Sequence, residues 1–198
     1  YWIQPFFLES DGSSTGAIAV STDAGASWTQ EPSLVNLPYR GGGRISAVGS
    51  KLVFVYDGHD NGTNNAHYRV RNDSNALGTW GAEQNFGDMI YHGAACSAVA
   101  DGAGGLHLVY KDKNMVLWYR HFDGTSWGTR QQVESVGDWE LQPAITRIGS
   151  DAVIFYNRVI TSNTNDEIRV RTLHAGALSN PTVLDSSGGF KGYPASVE

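Results

Sequence analysis

The chain is poor in charge. Asp, Glu, Lys and Arg make up only 17% of its 198 residues, and no long stretch carries apolar residues at helical spacing, so a fold built on amphipathic helices is excluded. Its 14 Lys and Arg are scattered and outnumbered by 20 Asp and Glu, giving a formal charge of −6. Without a basic cluster, nucleic acid is not expected as a partner. No apolar run approaches the length of a membrane span. The single cysteine, Cys96, excludes an internal disulfide, and its setting, Ala-Ala-Cys-Ser-Ala, reads as a buried small residue rather than a reactive thiol. Nothing has the spacing of a structural zinc site, and neither metal nor cofactor is expected. There is no initiator Met and no signal peptide, so the chain reads as processed, excised or cut from a longer product.

What is abundant is Gly (24), Tyr (9) and Trp (6), the composition of many short strands joined by tight turns. The length suits one domain with a substantial core. Low charge, many uncharged polar residues and the sequons Asn61-Gly-Thr63 and Asn72-Asp-Ser74 point to an extracellular or cell-surface setting.

Internal repetition exposes the architecture. Trp28, Trp80, Trp127 and Leu178 follow one another at intervals of 52, 47 and 51 residues. A second ladder, Ala47, Ala98, Ala144 and Ala195, runs at 51, 46 and 51. Within each unit a small-residue strand such as Arg44–Val48 comes first, followed by an apolar strand: Leu52–Tyr56, Leu106–Tyr110 or Ala152–Tyr156. A strand of alternating polarity is next: Ala66–Arg71, Val116–His121 or Glu167–Arg171. A turn then leads to the Trp strand. Four short antiparallel strands repeated about every 50 residues describe an all-β fold, a β-propeller of four-stranded blades. The blades are expected near 1–43 with 193–198, 44–92, 93–140 and 141–192.

The split between residues 193–198 and the first blade leaves three arrangements open. The chain closes as a four-bladed ring, forms part of a six- to eight-bladed propeller, or self-associates so that two copies complete each other's split blade. Each would cover strand edges that otherwise expose unpaired backbone groups.

The stretch Ser21-Thr-Asp-Ala-Gly-Ala-Ser-Trp28 is a turn signature. The Asp23 carboxylate can accept N–H groups across the turn, Gly25 supplies a positive φ, and Trp28 leaves as an apolar anchor. The pattern Ser-x-Asp-x-Gly-x-x-Trp resembles the Asp box, or BNR repeat, of sialidase-like β-propellers, and Asp123-Gly-Thr-Ser-Trp127 and Leu77-Gly-Thr-Trp80 read as degenerate relatives. The resemblance implies a structural role for Ser21, Asp23, Gly25 and Trp28 on an outer hairpin, away from the ligand face.

Loops that return from one blade to the next gather around the channel of a propeller and form its binding face. Here they carry Tyr39, Arg40 and Arg44; Tyr91 and His92; Trp139 and Glu140; and Lys191 and Tyr193. Each pairs an aromatic with a charged or titratable group, a combination that suits sugars, because rings stack on C–H faces while Arg, Glu or His bonds hydroxyls or a carboxylate. The same aromatics also suit a plug filling the channel. Connections on the same face contribute Asp57-Gly-His-Asp60, Lys111-Asp-Lys113 and Asn157-Arg158, which read first as solvated turns and second as acid/base or cation-binding groups.

The resemblance to sialidases carries over residue by residue. It implies Tyr193 as nucleophile, Glu140 as its activating partner, Arg40 or Arg44 and Arg158 as clamps on a carboxylate, and Asp57 or Asp60 as the acid. The family's Arg-Ile-Pro run is replaced by Gly-Gly-Gly, and a third clamp is not identified. Arg69, Arg120 and Arg169 recur in third strands; fucose-binding propeller lectins place sugars between blades using Arg, a carboxylate and an aromatic, whereas alternation alone makes these arginines surface-facing. The expected function is recognition of a glycan by a module of a larger secreted or surface protein. A sialidase-like glycoside hydrolase and a protein-binding scaffold are the alternatives.

Overall fold

The computed structural model describes residues 2–10, 13–31, 39–60, 63–72, 79–85, 87, 96–135, 143–159 and 166–187, and no helix occurs among them. The chain divides into two compact units, Tyr1–Gly93 and Ala94–Glu198.

In the first unit β1 (Trp2–Ser10), β2 (Ser13–Ser21) and β3 (Thr29–Gln30) form one sheet. A second sheet holds β4 (Tyr39–Val48), β5 (Lys51–Asp60), β6 (Thr63–Arg71) and β7 (Gln84–Asn85) in sequence order. Pairing is antiparallel between successive strands, so each sheet is a meander. Leu52 to Tyr56 are all buried, which is why this stretch is apolar without alternation: both faces of β5 are covered. On one face Leu52, Phe54 and Tyr56 pack with Ile18 and Val20 of β2 and with Trp80. Phe54 stacks on Tyr56 at 4.6 Å and meets Trp80 edge-on at 6.1 Å. Each such side chain contributes about 1.5–3 kcal/mol by burial.

At the Leu52 end of this core, on the same face of the sheet, lies an ion pair that the apolar pattern does not announce. Glu31, just past β3, and Arg71, at the end of β6, face each other at 3.7 Å with 2% of each side chain exposed. They join the two sheets of this unit.

In the second unit β8 (Cys96–Ala100), β9 (Leu106–Lys111), β10 (Leu117–Phe122) and β11 (Gln131–Glu134) form one meander. The other contains β12 (Ala144–Ile148), β13 (Asp151–Val159) and β14 (Asp166–His174), with β15 (Ala177–Leu178) and β16 (Thr182–Asp185) both pairing with β14. Between the sheets Val99, Val109, Leu117, Tyr119 and Val133 pack on Ile145, Ile154, Tyr156 and Leu173. Hydrogen bonds cross the same gap: Ser97 Oγ accepts Ile145 N–H at 3.2 Å, and Arg171 Nη1 donates to Val133 O at 2.7 Å. Cys96 is fully buried, as its small neighbours lead one to expect.

The turns follow the chemistry of their carboxylates. Asp23 Oδ1 accepts Ser27 N–H at 2.8 Å and Ser21 Oγ–H at 2.8 Å, Ser21 Oγ accepts Gly25 N–H at 2.7 Å, and Gly25 sits at φ 90°. Bonds from Ser27, side chain and backbone, and from Ser21 hold the Asp23 carboxyl at about 2, below its ordinary 3.8. Asp123 repeats the device, accepting Thr125 and Ser126 N–H at 2.8 and 2.7 Å.

Two expectations are corrected here. Trp28 is 45% exposed, whereas Trp80 is 5% exposed; the turn that positions Trp28 is closed by Ser21, Asp23 and Gly25, so its geometry does not depend on burying the indole. Asp57–Asp60 and Asn157–Arg158 are strand residues rather than loop residues. Asp57 pairs with Ala66 and Asp60 with Thr63, so the β5–β6 ladder continues four pairs beyond Tyr56.

Candidate functional site

In three sheets the apolar run of the second strand closes on a tyrosine: Tyr56, Tyr110 and Tyr156, all fully buried. Their cross-strand partners are His67, Trp118 and Arg169. Each tyrosine thus brings a different group to the same place in the repeat, and the polar residues assemble around it.

In the second unit the assembly spans two sheets. Tyr156 and Arg158 alternate onto one face of β13, opposite Arg169 and Glu167 of β14. Arg169 forks onto Glu167, with Nε and Nη2 donating at 2.7 and 2.6 Å, and its Nη1 donates to Glu134 of the adjacent sheet at 3.1 Å. Tyr156 Oη also donates to Glu134, at 3.4 Å. Burial would lower the Arg169 value, but Glu167 and Glu134 outweigh it and raise it. Burial, then the Glu134 charge, pushes the Tyr156 phenol up to about 12, so it remains an O–H donor at neutral pH. The side chains of Arg169, Glu134 and Glu167 stay 13, 10 and 15% exposed, enough to leave an edge of each group at the surface. Arg158 is half-buried beside them, and its Nε has no hydrogen-bond partner among the described residues.

The first unit builds a related group within one sheet. Tyr56 Oη donates to Glu83, Arg69 Nε donates to Tyr56 Oη at 3.2 Å, and Arg69 Nη2 lies 3.5 Å from Glu83. His67 stacks on Tyr56 at 5.7 Å and approaches Glu83 at 3.4 Å. Burial and the Glu83 bond raise the Tyr56 phenol above its ordinary range. In the third position Arg130 lies 4.0 Å over the Trp118 ring, whose Nε1 donates to Asp112 at 2.8 Å.

The arginine ladder read from the sequence needs one correction. Strand register aligns Arg69 and Arg120 with Arg171, not with Arg169, since these three stand opposite Phe54, Leu108 and Ile154. All three donate to the carbonyl just after the Trp-ladder position: Gly81 at 3.4 Å, Gly128 at 2.8 Å and Ser179 at 2.7 Å. They fasten their own hairpins, and Arg171 also reaches Val133 O of the adjacent sheet. Arg169 lies two residues off that ladder and is turned instead into the intersheet group. Neither Arg69 nor Arg169 is a plain surface residue, their side chains being 22 and 13% exposed.

The other sequence-predicted residues separate as follows. Arg44 is exposed and donates to Gly43 O at 3.0 Å. Tyr39 and Arg40 are positions in β4 rather than loop residues; Tyr39 pairs with Gly58 of β5, and Arg40 falls where the register shifts before Gly43. Lys111 and Asp112 are buried, and Asp112 closes a turn by accepting Asn114 and Val116 N–H at 2.8 and 3.0 Å. His92, Trp139, Glu140, Lys191 and Tyr193 lie outside the described residues. Glu134, Glu83 and the tyrosines were missed as site residues; the repeated apolar run ending in Tyr was the available signal.

A second polar group sits at the other end of the second unit's sheets. Asp101 Oδ1 accepts Ala103 and Gly105 N–H at 2.7 Å each, and its Oδ2 accepts His121 Nε2–H at 2.9 Å. Tyr119 Oη and His107 Nδ1 are 2.8 Å apart. Burial lifts the Tyr119 phenol, which therefore donates, and Nδ1 accepts. Burial, followed by the nearby His121 charge, lowers His107 from 6.5 to about 4, with Asp101 opposing and Arg147 reinforcing the shift. The folded state therefore keeps His107 neutral where the unfolded chain protonates it. Its stabilising effect is complete above about pH 6.5, is lost as pH falls toward 4 and is level below that. The expected difference is about 2 kcal/mol after allowance for partial solvation. Urea denaturation at pH 7 and 4.5 checks it: the drop should shrink in a His107→Gln variant.

No family model and no curated protein matches the sequence. Solved structures do. A fucose-specific lectin from Aleuria aurantia aligns over 98% of this chain and 66% of its own, at 15% identity and a TM-score of 0.62; another structure of that lectin is described as a six-bladed β-propeller. NanB sialidase from Streptococcus pneumoniae aligns over 84% of this chain and 28% of its own, at 13% identity and a TM-score of 0.54. An exo-β-1,3-galactanase from Phanerochaete chrysosporium aligns over 93% and 48%, at 11% identity and 0.53. At such identities the likeness is one of fold. The protein has an all-β propeller fold whose blades are antiparallel meanders, and this chain spans about two thirds of the lectin's length.

Proposed function

We propose that the chain is a carbohydrate-recognising propeller module that binds sugar hydroxyls in clefts between its blades. The observation that carries this reading is the Arg169–Glu134 contact across two sheets, which sets a guanidinium, two carboxylates and a tyrosine at one intersheet seam. Such a seam offers the guanidinium N–H groups beyond the three engaged by Glu167 and Glu134, and acceptors from the carboxylates, the complement of adjacent hydroxyls. The Tyr56–Arg69–Glu83 group is a related, separately assembled site in the first unit. Low charge and two sequons support placing the module in a secreted or surface protein. Coverage of two thirds of a six-bladed lectin supports its being part of a larger ring, completed by further chain or by a second copy.

Binding to a glycan array, followed by calorimetry on the best ligand, tests the proposal. Replacing Arg169 with Gln should weaken that ligand about 10- to 100-fold, since hydrogen bonds to charged groups contribute about 1.5–3 kcal/mol each. Unchanged binding in both Arg169→Gln and Arg69→Gln would remove these groups as the site. The likeness to a sialidase and a galactanase favours a hydrolase as the second reading. Turnover of a fluorogenic sialoside that disappears in Tyr193→Phe would make that reading primary, and silence in both assays would favour a protein-binding scaffold.

A further inference from the structure

A cavity of about 410 Å³ opens between the two sheets of the second unit, within the range of about 300–1,000 Å³ typical of small-ligand sites. One wall is formed by His107, Tyr119 and His121 with Thr129 and Gln131, the other by Ser150 and Leu173 with the turn at Gly176. Ser150 precedes β13 and Leu173 is near the end of β14, so the cavity lies four to six residues along the strands from Arg169 and Tyr156, roughly 13–20 Å away. It is a separate place from the seam described above.

Its chemistry selects against charge. The carboxylates at this end are already engaged by histidines, Asp101 by His121 at 2.9 Å and Asp151 by His174 at 2.8 Å. Arg147 does not line the cavity, and its guanidinium donates to Gly149 O at 3.1 Å. An ionic ligand would lose hydration without gaining an uncommitted counter-charge. Neutral hydrogen-bonding groups remain. Tyr119 occupies His107 Nδ1, which leaves Nε2–H as that ring's donor. Gln131 Nε2 donates to Gly176 O at 2.9 Å, which leaves its amide oxygen as an acceptor; Thr129 adds a hydroxyl, and Ser150 Oγ, which donates to Asp151 at 3.3 Å, keeps its lone pairs as acceptors. Leu173 and the imidazole and phenol faces supply apolar surface for C–H groups.

We propose that this cavity is a second ligand site, for a neutral ring bearing several hydroxyls, such as a single sugar residue or a cyclic polyol. The proposal is independent of the Arg169 site and can fail or hold without it.

Isotope-edited NMR of the whole chain, following the Leu173 methyls and the His107 and His121 ring protons, tests it. Methyl β-D-galactopyranoside and myo-inositol are the neutral probes; glucuronate and glucosamine are their charged counterparts. At least one neutral probe should shift these signals saturably, with the charged probes at least tenfold weaker. Thr129→Trp and Ser150→Trp fill the cavity from opposite walls, and each should weaken the neutral probe at least tenfold while Arg169→Gln leaves it unchanged. The proposal is overturned if neither neutral probe moves the signals, or if glucuronate or glucosamine binds as well. It is equally overturned if a filled variant with a dispersed, folded spectrum binds like the wild type, or if Arg169→Gln abolishes the shifts.

Discussion

Replacing Glu31 with alanine is expected to destabilise the first unit by about 3–5 kcal/mol, the usual result of leaving one member of a buried pair uncompensated. Arg71 is the partner left behind, 2% exposed and 3.7 Å from the lost carboxylate. It cannot reach water without opening the seam between the sheet of β1–β3 and that of β4–β7. The loss should be read by urea denaturation, with hydrogen exchange on β2, β5 and β6 assigning it to this unit. The double change Glu31→Ala, Arg71→Met should recover most of it, because a methionine fills the space without a charge to desolvate. A single variant costing less than about 1 kcal/mol would show that the pair is not the intersheet clamp described here.

The second large effect is expected at Gly105. A Cβ there would lie 2.3 Å from Asp101 Oδ2 and 2.4 Å from Phe122 O, contacts too short for either oxygen to stay in place. The Asp101 carboxylate would have to move, and it is held by Ala103 N–H, Gly105 N–H and His121. Burial alone would raise the Asp101 carboxyl; the Gly105 N–H, His121 and Ala103 bonds outweigh it and keep it low. Gly105→Ala should therefore cost the second unit about 2–3 kcal/mol through overpacking and weakened bonds to a charged acceptor. Its thermal midpoint should fall by roughly 10 °C or more. The His121 ring signals should shift as its partner moves. An unchanged midpoint would mean that the turn relaxes without cost and that Asp101 is not its organiser.

The repeat was legible because it is written in residues that act locally. Asp23 and Asp123 close turns with N–H groups within four residues, and Trp80 and Trp127 each enter within ten residues of a third strand. The apolar runs ending in Tyr56, Tyr110 and Tyr156 became the second strands of their sheets. Strand ends were less legible. Asp57–Asp60 read as a polar loop because polarity at a hairpin tip resembles polarity in a loop; only the cross-strand register separates them. The arginine ladder failed for a related reason. Spacing cannot distinguish Arg169 from Arg171 when both lie on one face of β14, and the carbonyl of Ser179 that selects Arg171 is found only once the hairpin closes.

Sequence alone determined that the chain would be all-β, repeated near every 50 residues and closed at its turns by carboxylates and glycines, because each of those choices is settled by neighbours a few residues away. Tertiary structure decided which charges meet. Glu31 with Arg71, Glu134 with Arg169, and Asp101 with His121 are joined across 40, 35 and 20 residues. No periodicity marks such partners, since their attraction becomes strong only when the packing of sheets removes the water between them.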